Sequence, residues 1–156
     1  MSTTPTQQVT DLMEALENKQ FEKAATYLAG DFRFIGWTPL PLNKDQFLKI
    51  SSELAGGMPN LSYNFHDLHE VDALLGEGSR LRAAIQVTGF QTDSFILTPL
   101  GLPPIPQMAQ SIALPEEHWD YVVKDDAIAV IDVERVPGGG ISGLLHQFGI
   151  DIPIIQ

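Results

Sequence analysis

The sequence predicts an α+β fold in which a curved antiparallel sheet wraps over helices from the first part of the chain. Apolar residues recur mainly at helical spacing up to about residue 57 and alternate with polar residues after residue 60, as in strands. The chain has 156 residues, 44% of them hydrophobic, which is enough to bury the core of one domain. With no internal repeat, residues 1–156 are predicted to form a single domain with a disordered start at 1–7.

Three helices are predicted first. Apolar residues at positions i, i+3, i+4 and i+7 define the first helix: Val9, Leu12, Met13 and Leu16. The same spacing over 21–28 predicts a second helix that ends at Gly30, and residues 32–35 predict a strand after it. The third helix follows Asn43, because this residue and Gln46 can bond two free amides at a helix start. Gly56, Gly57 and Pro59 end the third helix.

Two hairpins are predicted after residue 60. Alternation over 61–65 resumes over 71–75 after a disturbance at Asp67 and Leu68, which predicts one long strand with a bulge. A turn at 76–78 leads to a strand whose inward residues are Leu81, Ala83, Ile85 and Val87. Strand character returns over 112–123 and over 128–136, on either side of a turn at 124–126.

A proline-rich segment and a glycine-rich end are predicted to lie outside the sheet. Four prolines within 98–110 remove amide donors that a sheet interior needs, so this segment is predicted to be a surface loop. Residues 140–149 are predicted to form an amphipathic helical tail. The preceding Gly138, Gly139 and Gly140 provide either a flexible hinge, which is the simpler interpretation, or a cradle for an anion.

Composition excludes several classes of function. Nine basic and twenty acidic side chains give a net charge of -11, so neither nucleic acid nor an anionic membrane is an expected partner. The polar start predicts no export signal, and no later stretch is apolar enough to predict a membrane span. Without cysteine there is no disulfide or thiolate nucleophile, and the cytoplasm is the expected compartment. His66 and His69 are expected on opposite faces of a strand, so no metal is predicted.

Three segments carry a resemblance to a known family. They are the Met-Pro-Asn-Leu of residues 58–61, the Gly-Leu-Pro-Pro of residues 101–104 and the Gly-Leu-Leu-His-Gln-Phe-Gly of residues 143–149. In this order and spacing they resemble the SnoaL-like polyketide cyclases, a branch of the nuclear transport factor 2-like superfamily. The resemblance implies a cone around an apolar cavity, and a cofactor-free cyclase or isomerase that acts on a small apolar carbonyl compound.

The resemblance also places the family's catalytic positions on this chain. Counting back from Asp125 puts the acid of the cyclases at Trp119, whose indole cannot donate a proton as a carboxylic acid does. The tyrosine of the related ketosteroid isomerases falls on Leu12, and their general base falls near Gly36 and Trp37. None of these isomerase roles is filled, so ketosteroid isomerisation is not expected.

Glu117 is the remaining candidate for acid–base chemistry. It is either a cavity carboxylate with a raised pKa that acts as a base, or a solvated residue at the rim. Asp93 either shares that site or marks the exposed end of its strand. Which face of the strand lines the cavity is open: one carries Glu117, Trp119 and Tyr121, the other Glu116, His118 and Asp120.

The predicted ligand pocket is apolar and takes residues from helices and strands. Its predicted members are Leu12, Leu16, Trp37, Tyr63, Phe65, Ile85, Val87, Trp119, Tyr121 and Ile131. Trp37 and Trp119 are either ordinary core residues or pocket walls that stack on a flat ligand. Three functions follow: a cofactor-free enzyme, a carrier or sensor of a small apolar ligand, and a dimerisation module with a vestigial pocket. An interior filled by side chains would favour the third.

A homodimer is the first testable prediction. A sheet with helices on one face leaves the other face, which carries Ala84, Thr88 and Val122, partly apolar and in need of cover. Relatives of this fold commonly pair through that face. Sedimentation equilibrium should therefore give twice the chain mass at micromolar concentration, and a strict monomer would contradict the prediction.

Overall fold

A computed structural model describes residues 4–71 and 78–150. Its helices are α1 (Pro5–Glu17), α2 (Phe21–Ala25), α3 (Lys44–Gly57) and α4 (Gly140–Gln147), with a 3-10 turn at Thr98–Leu100. Its strands are β1 (Leu28–Ile35), β2 (Leu42–Asn43), β3 (His66–Val71), β4 (Ser79–Ile85), β5 (Thr88–Phe90), β6 (Ser111–Ala113), β7 (Glu117–Lys124) and β8 (Ala127–Val133). The order of three helices and later hairpins is the predicted one.

The described strands form one large sheet and one small one. Six strands lie in the order β2-β1-β8-β7-β4-β3, and β5 pairs with β6. Within the large sheet β1 and β8 run parallel, whereas the other neighbouring strands are antiparallel. Because α3 lies against β1 and α1 contacts β3, β4 and β8, the helices cover one face of the sheet. The predicted α+β architecture is confirmed.

Helix caps explain where α1 and α3 begin. The Thr4 hydroxyl accepts a hydrogen bond from the amide of Gln7 at 3.1 Å, and Pro5 occupies the first turn, where no amide donor is needed. The predicted disordered start was therefore wrong for residues 5–7, and residues 1–3 lie outside the described part of the chain. At α3 the capping box of Asn43 and Gln46 is confirmed, with both of its hydrogen bonds at 2.9 Å.

The predicted long strand is shorter than expected. Residues 61–65 contribute only an isolated bridge between Ser62 and Thr88, and β3 begins at His66. The predicted bulge is present, because the β3–β4 register shifts between His66 and His69, and Asp67 has a φ of 57°. The predicted strand residues 73 and 75 and most of the turn at 76–78 lie outside the described residues.

The bulge corrects the prediction for the two histidines. His66 pairs with Ala84 and His69 pairs with Arg82. Because Ala84 and Arg82 are two residues apart on β4, they lie on the same face of the sheet, and cross-strand partners share a face. His66 and His69 therefore both lie on the outer face. Within residues 4–71 and 78–150, no group of three or more His, Asp or Glu residues could hold a metal ion.

The inner face of the sheet is apolar and buried. Leu81, Ala83 and Ile85 of β4 are fully buried, as predicted. On β7 the inward face is the one that carries Glu117, Trp119 and Tyr121, each at most 1% exposed. The outer face of the same strand carries His118, which is exposed, and Asp120, which is bonded to arginines. The structure therefore shows which face of β7 points toward the helices: it is the face that carries Glu117, Trp119 and Tyr121.

The segment 98–110 lies outside the large sheet, as its prolines predict. Its one buried side chain is that of Ile105, whose backbone exchanges two hydrogen bonds with Phe95, at 2.8 and 3.1 Å. This anchor holds the loop against the chain. Among the described helices, none is both long and apolar enough to cross a membrane.

Asp120 binds two arginine side chains on the outer face of the sheet, and this ion-pair cluster gives a testable prediction about the stability of the protein. Its carboxylate accepts hydrogen bonds from Arg80 at 2.9 Å and from Arg82 at 2.7 and 3.1 Å. Burial opposes the charge on Asp120, yet the hydrogen bonds and charges of Arg82 and Arg80 hold its pKa below the ordinary value. This group therefore stabilises the fold above the ordinary aspartate pKa, and that stabilisation is lost as the pH falls through the lowered pKa.

We expect Asp120→Asn to lower the free energy of unfolding at pH 7 by about 1–2 kcal/mol. This is less than the loss expected for a fully buried ion pair, because both arginines are partly exposed to solvent. Urea denaturation would measure the change, and Asp132→Asn, at the paired and exposed position on β8, is the matched control. The difference between wild type and Asp120→Asn should shrink as the pH falls below the ordinary aspartate range. Equal stability of the two substituted chains at pH 7 would contradict this account.

Candidate functional site

Glu117 lies where three parts of the chain meet. It is the first residue of β7, and its side chain points to the inner face beside Trp119. The connection from β1 to β2 brings Trp37 to one side of its carboxyl group, and the start of α4 brings Gly140 to the other. A carboxyl group that is only 1% exposed needs hydrogen-bond donors, and these two segments supply them.

Both carboxylate oxygens of Glu117 accept a hydrogen bond. The Trp37 indole nitrogen donates to Oε1 at 3.2 Å, and the Gly140 amide donates to Oε2 at 2.8 Å. A Cβ atom at Gly139 would lie only 2.6 Å from Oε2, so a side chain there would collide with the carboxylate. The glycine run therefore does cradle an anion, and that anion is the chain's own carboxylate.

The pKa of Glu117 is raised. Burial is the main cause, because it disfavours the charged form. The Gly140 amide, the Trp37 indole and the nearby Trp119 indole offset part of this effect. The Trp119 nitrogen influences the carboxyl group without reaching hydrogen-bond geometry, and it has no hydrogen-bond partner among the described residues. Glu117 is thus a buried carboxyl group rather than a solvated rim residue.

A cleft opens beside Glu117. Its volume is about 210 Å³, roughly that of seven molecules of liquid water. Besides Glu117, its lining includes Trp37, Thr38, Pro39, Arg135, Val136 and Ser142. A small ligand in this cleft would contact a carboxyl group, a guanidinium group and the ring of a tryptophan.

The interior between helices and sheet is almost filled. The cavity there has a volume of about 20 Å³, little more than one water molecule needs, and every residue that lines it is buried. Aromatic packing accounts for this. The ring of Trp119 lies 5.3 Å from that of Phe34 and 6.0 Å from that of Tyr63, measured between centroids. An apolar interior is present, but it offers almost no free volume.

The predicted pocket residues fall into three groups. Trp37, Tyr63, Val87 and Trp119 line the small interior cavity. Phe65 is half-buried and packs against the core. The remaining predicted members are buried core residues that line neither the cavity nor the cleft: Leu12, Leu16, Ile85, Tyr121 and Ile131. The structure places these five in the packed core, and a ligand contact with them stays a prediction.

Asp93 does not share a site with Glu117. It is exposed, its carboxylate accepts a hydrogen bond from the Ser94 amide at 2.8 Å, and it lines neither the cleft nor the cavity. The chain turns away from the sheet after β5 ends at Phe90, so the alternation that placed Asp93 on the Ile85 face does not continue. The structure therefore places Asp93 apart from Glu117, and a catalytic role for Asp93 stays an untested prediction.

Solved structures of similar shape identify the fold. No family model matches the chain, and no curated protein matches it. IdmH from Streptomyces antibioticus, a proposed polyketide cyclase, is 15% identical with a TM-score of 0.66 over 95% of this chain and 100% of that one. A proposed polyketide cyclase from Pseudomonas putida is 16% identical with a TM-score of 0.62, over 86% and 92% of the two chains. The chain has the SnoaL-like, nuclear transport factor 2-like fold.

The same fold serves proteins with different described activities. An LEH-like epoxide hydrolase from M. tuberculosis is 11% identical to this chain, with a TM-score of 0.62 over 92% of this chain and 86% of the hydrolase. At such identities the likeness is one of fold, and the chemistry has to be argued from the site itself. In this chain the candidate site is the Glu117 carboxyl group and the cleft beside it.

Sequence reasoning did not single out Arg135, and it left the glycine run that contains Gly140 open between a hinge, the simpler interpretation, and a cradle for an anion. The signal for the cradle was the run itself, since three successive glycines before a helix allow a close approach to an anion. The signal for Arg135 was the predicted hairpin of strands 112–123 and 128–136, because the end of the second strand lies beside the start of the first.

The raised pKa of Glu117 predicts a measurable dependence of stability on pH. Between the ordinary glutamate pKa of 4.5 and the raised value, the folded state binds more protons than the unfolded state. The contribution of Glu117 to stability is therefore fully present below 4.5, and it is lost as the pH rises through the raised pKa. Glu117→Gln removes the titrating carboxyl group. The free energy of unfolding of the variant, relative to that of wild type, should therefore rise as the pH increases from 4.5 to the raised pKa.

Urea denaturation between pH 4 and pH 8 would measure this dependence. Glu70→Gln is the matched control, because it makes the same change at an exposed strand position away from the site. The difference in stability between wild type and Glu117→Gln should change with pH more steeply than the difference between wild type and Glu70→Gln. Parallel curves for wild type and Glu117→Gln would show that the carboxyl group has an ordinary pKa.

Proposed function

We propose that this protein is a cofactor-free acid–base enzyme that acts on a small apolar carbonyl compound bound in the cleft, with Glu117 as the proton-transferring group. The observation that carries the proposal is the position of this carboxyl group, which is buried and nevertheless lines a cleft of about 210 Å³. Carboxyl groups held in this way are common at catalytic sites, because burial raises their basicity. The fold supports the proposal by analogy, since several proteins of this shape are described as enzymes.

The reaction type follows from what a lone carboxylate can do. Glu117 takes a proton from the carbon next to a carbonyl group, and the electron pair of the broken C–H bond moves to the carbonyl oxygen, giving an enolate. In a β,γ-unsaturated ketone, return of the proton from Glu117 to the γ-carbon completes an isomerisation. In a compound with a second carbonyl group, attack of the enolate carbon on that group closes a ring, and the alkoxide that forms takes the proton back from Glu117, which completes an aldol cyclisation. Trp37 and Gly140 hold the carboxylate in one position, which favours transfer to a substrate bound at a fixed place. Arg135 supplies a positive charge on the same cleft.

The volumes limit the size of the substrate. A cleft of 210 Å³ is smaller than the roughly 300–1,000 Å³ typical of sites for drug-sized ligands. A compound with a single ring fits this volume, whereas a large polycyclic substrate requires the protein to open. The proposed ligand is therefore a small ketone or aldehyde.

A second candidate rests on the filled interior. With only about 20 Å³ free between helices and sheet, the chain also suits a dimerisation module in which the cavity is vestigial and Glu117 has a structural role. The proposed dimer would use the outer face of the large sheet, where Ala84 is buried and Val122 is half-buried. Thr88 lies in β5 of the small sheet and does not extend this face. A carrier that binds a ligand in the cleft without turnover is the intermediate case. The cytoplasm stays a prediction that rests on composition.

Deuterium exchange tests the enzyme proposal directly. Cyclohexanone in D2O, with and without the protein, is followed by proton NMR to measure loss of the hydrogens next to the carbonyl group. We expect the protein to accelerate exchange and Glu117→Gln to lower that acceleration by about 100-fold or more, since it removes the proton acceptor. Glu116→Gln should retain the wild-type rate.

The alternatives give different results in the same experiment. Binding of cyclohexanone without faster exchange would favour the carrier, and ligand-induced protection against thermal unfolding would show that binding. Neither binding nor exchange would favour the dimerisation module. If wild type and Glu117→Gln accelerated deuterium exchange equally, that result would contradict the role of Glu117 as the proton-transferring group.

A further inference from the structure

Arg135 brings a positive charge to the cleft, and no described residue neutralises that charge. Its guanidinium group takes part in none of the ion pairs or side-chain hydrogen bonds among the residues that the structure describes. By contrast, Arg80 and Arg82 share the carboxylate of Asp120. The chain has twenty acidic side chains for nine basic ones, so carboxylates are abundant. An arginine without one at the wall of a cleft is therefore available to bind a ligand.

The acidic groups closest to Arg135, along the chain and in the cleft, have other partners. The Glu134 carboxylate lies 3.1 Å from Nδ1 of His118, on the outer face of the sheet. The Glu117 carboxylate accepts its two hydrogen bonds from uncharged donors, and the charge of Arg135 is not among the causes that shift its pKa. Glu117 and Arg135 thus line the same cleft without pairing with each other. A ligand that contacts both presents a different group to each.

Ser142 provides a second polar group on the cleft, in the first turn of α4. Its hydroxyl group has no hydrogen-bond partner among the described residues. The first two amides of α4 are already bonded, that of Gly140 to Glu117 and that of Ile141 to a backbone carbonyl. The Ser142 hydroxyl, rather than the helix terminus, is therefore the group that can add a hydrogen bond to an anion on Arg135.

The other residues of the cleft suit an apolar ligand body. They include Trp37, Pro39, Val136 and Ile141. The ligand that matches this lining has one charged group at Arg135 and an uncharged frame against the apolar residues.

The charges favour a carboxylate over a phosphate. One guanidinium group without a partner matches one negative charge, and its planar pair of N–H donors matches the two oxygens of a carboxylate. A phosphate monoester carries nearly two negative charges at pH 7. The second charge would have no cation in the cleft, in a chain whose net charge is -11.

We propose that Arg135 binds a carboxylate of the substrate, and that the substrate is a small oxo acid with one carbonyl group and one carboxylate on an otherwise apolar frame. This inference rests on the proposed function and narrows its small ketone or aldehyde to an anionic class. The guanidinium group donates two hydrogen bonds to the carboxylate, and the Ser142 hydroxyl donates a third. The carbon next to the carbonyl group then faces Glu117.

The carboxylate of the substrate does not react. Glu117 takes a proton from the carbon next to the carbonyl group, the electron pair of the C–H bond moves to the carbonyl oxygen, and a proton later returns to carbon from Glu117. Because the ion pair with Arg135 is the same in the substrate and in the enolate, it strengthens binding of both equally. Arg135 should therefore act on KM more than on the turnover number.

The first experiment measures binding without any reaction. Cyclohexanecarboxylate has the carboxylate but no ketone, and cyclohexanecarboxamide has nearly the same shape without the charge. Titration calorimetry at low salt should show that wild type binds the carboxylate about 10- to 100-fold more tightly than the amide, as expected for hydrogen bonds between charged groups. Arg135→Gln should remove this preference.

Arg33→Gln is the matched control for the binding experiment. It removes the same charge at an exposed position of β1 that does not line the cleft, and it should keep the preference for the carboxylate. Equal binding of carboxylate and amide by wild type would overturn the proposal. An equal loss of preference in Arg135→Gln and Arg33→Gln would also overturn it, because the anion would then respond to the net charge of the protein rather than to a site.

The second experiment measures deuterium exchange next to the ketone of 4-oxocyclohexanecarboxylate and of 4-oxocyclohexanecarboxamide. For the acid, Arg135→Gln should raise KM by about 10- to 100-fold and keep the turnover number within a few-fold of wild type. For the amide, neither constant should change. Arg135→Lys retains the charge without the planar pair of donors, and it should recover part of the loss. A loss of the same size for acid and amide would show that Arg135 only shapes the cleft, and that result would overturn the proposal.

The outcomes separate this inference from the proposed function. Carboxylate binding that depends on Arg135, without exchange of either ketone, would support the Arg135 site and refute the enzyme. Exchange that depends on Glu117 and does not prefer the acid to the amide would leave the enzyme in place and overturn the role of Arg135. Arg135 is exposed, so Arg135→Gln should fold, which thermal unfolding checks. The preference of wild type for the carboxylate is measured without any variant.

Discussion

The hydrogen-bonded carboxylate of Glu117 is the contact on which the arrangement of the site depends. It joins the start of β7, the segment after β1 and the first turn of α4 through two donors, at 3.2 and 2.8 Å. None of these segments is close to the others in sequence. Without Glu117, the partly buried Gly140 amide would lose its acceptor, and the start of α4 would keep only the hydrogen bond from the Ile141 amide to the Trp37 carbonyl at 2.8 Å. The same contact places a carboxyl group on the wall of a cleft.

In that arrangement Glu117 has two roles, as an anchor and as a proposed base, and the two roles make opposite demands on the stability of its charged form. As an anchor, Glu117 accepts two hydrogen bonds, and the two donors favour its charged form. As a base, it benefits from burial, which makes the charged form less favourable and the carboxylate more reactive. The N–H groups around it offset part of the effect of burial and hold the carboxyl group in one position.

Much of the fold could be predicted from the sequence, because it is encoded locally. The capping box at Asn43 depends on residues three positions apart, and the hairpin of β3 and β4 depends on alternation. Local patterns also predicted Glu117 and Trp119 on one face of β7. The sequence also predicted the bulge at Asp67. It did not predict that the bulge places His66 and His69 on the same face of the sheet, because this follows only from the observed register.

The free space in the protein could not be predicted, for a different reason. A cavity is what remains after side chains from distant elements have packed, and no local pattern reports that remainder. Trp119, Phe34 and Tyr63 come from three separate segments, and their rings together fill the interior that the family resemblance implied would be open. Gly140 reaches the site through tertiary contact rather than spacing, whereas Arg135 reaches it through the predicted hairpin of β7 and β8.

The parallel pairing of β1 with β8 has a consequence for how this protein folds. Leu28 lies opposite Ile128 although one hundred positions separate them. Contacts between such distant positions form late, because the intervening chain must lose conformational freedom before they are made. During synthesis β1 therefore keeps one edge without its partner until β8 has left the ribosome. One wall of the cleft, around Trp37, follows β1 and the other, around Gly140, follows β8, so a fragment that lacks β8 and the start of α4 could not form the cleft.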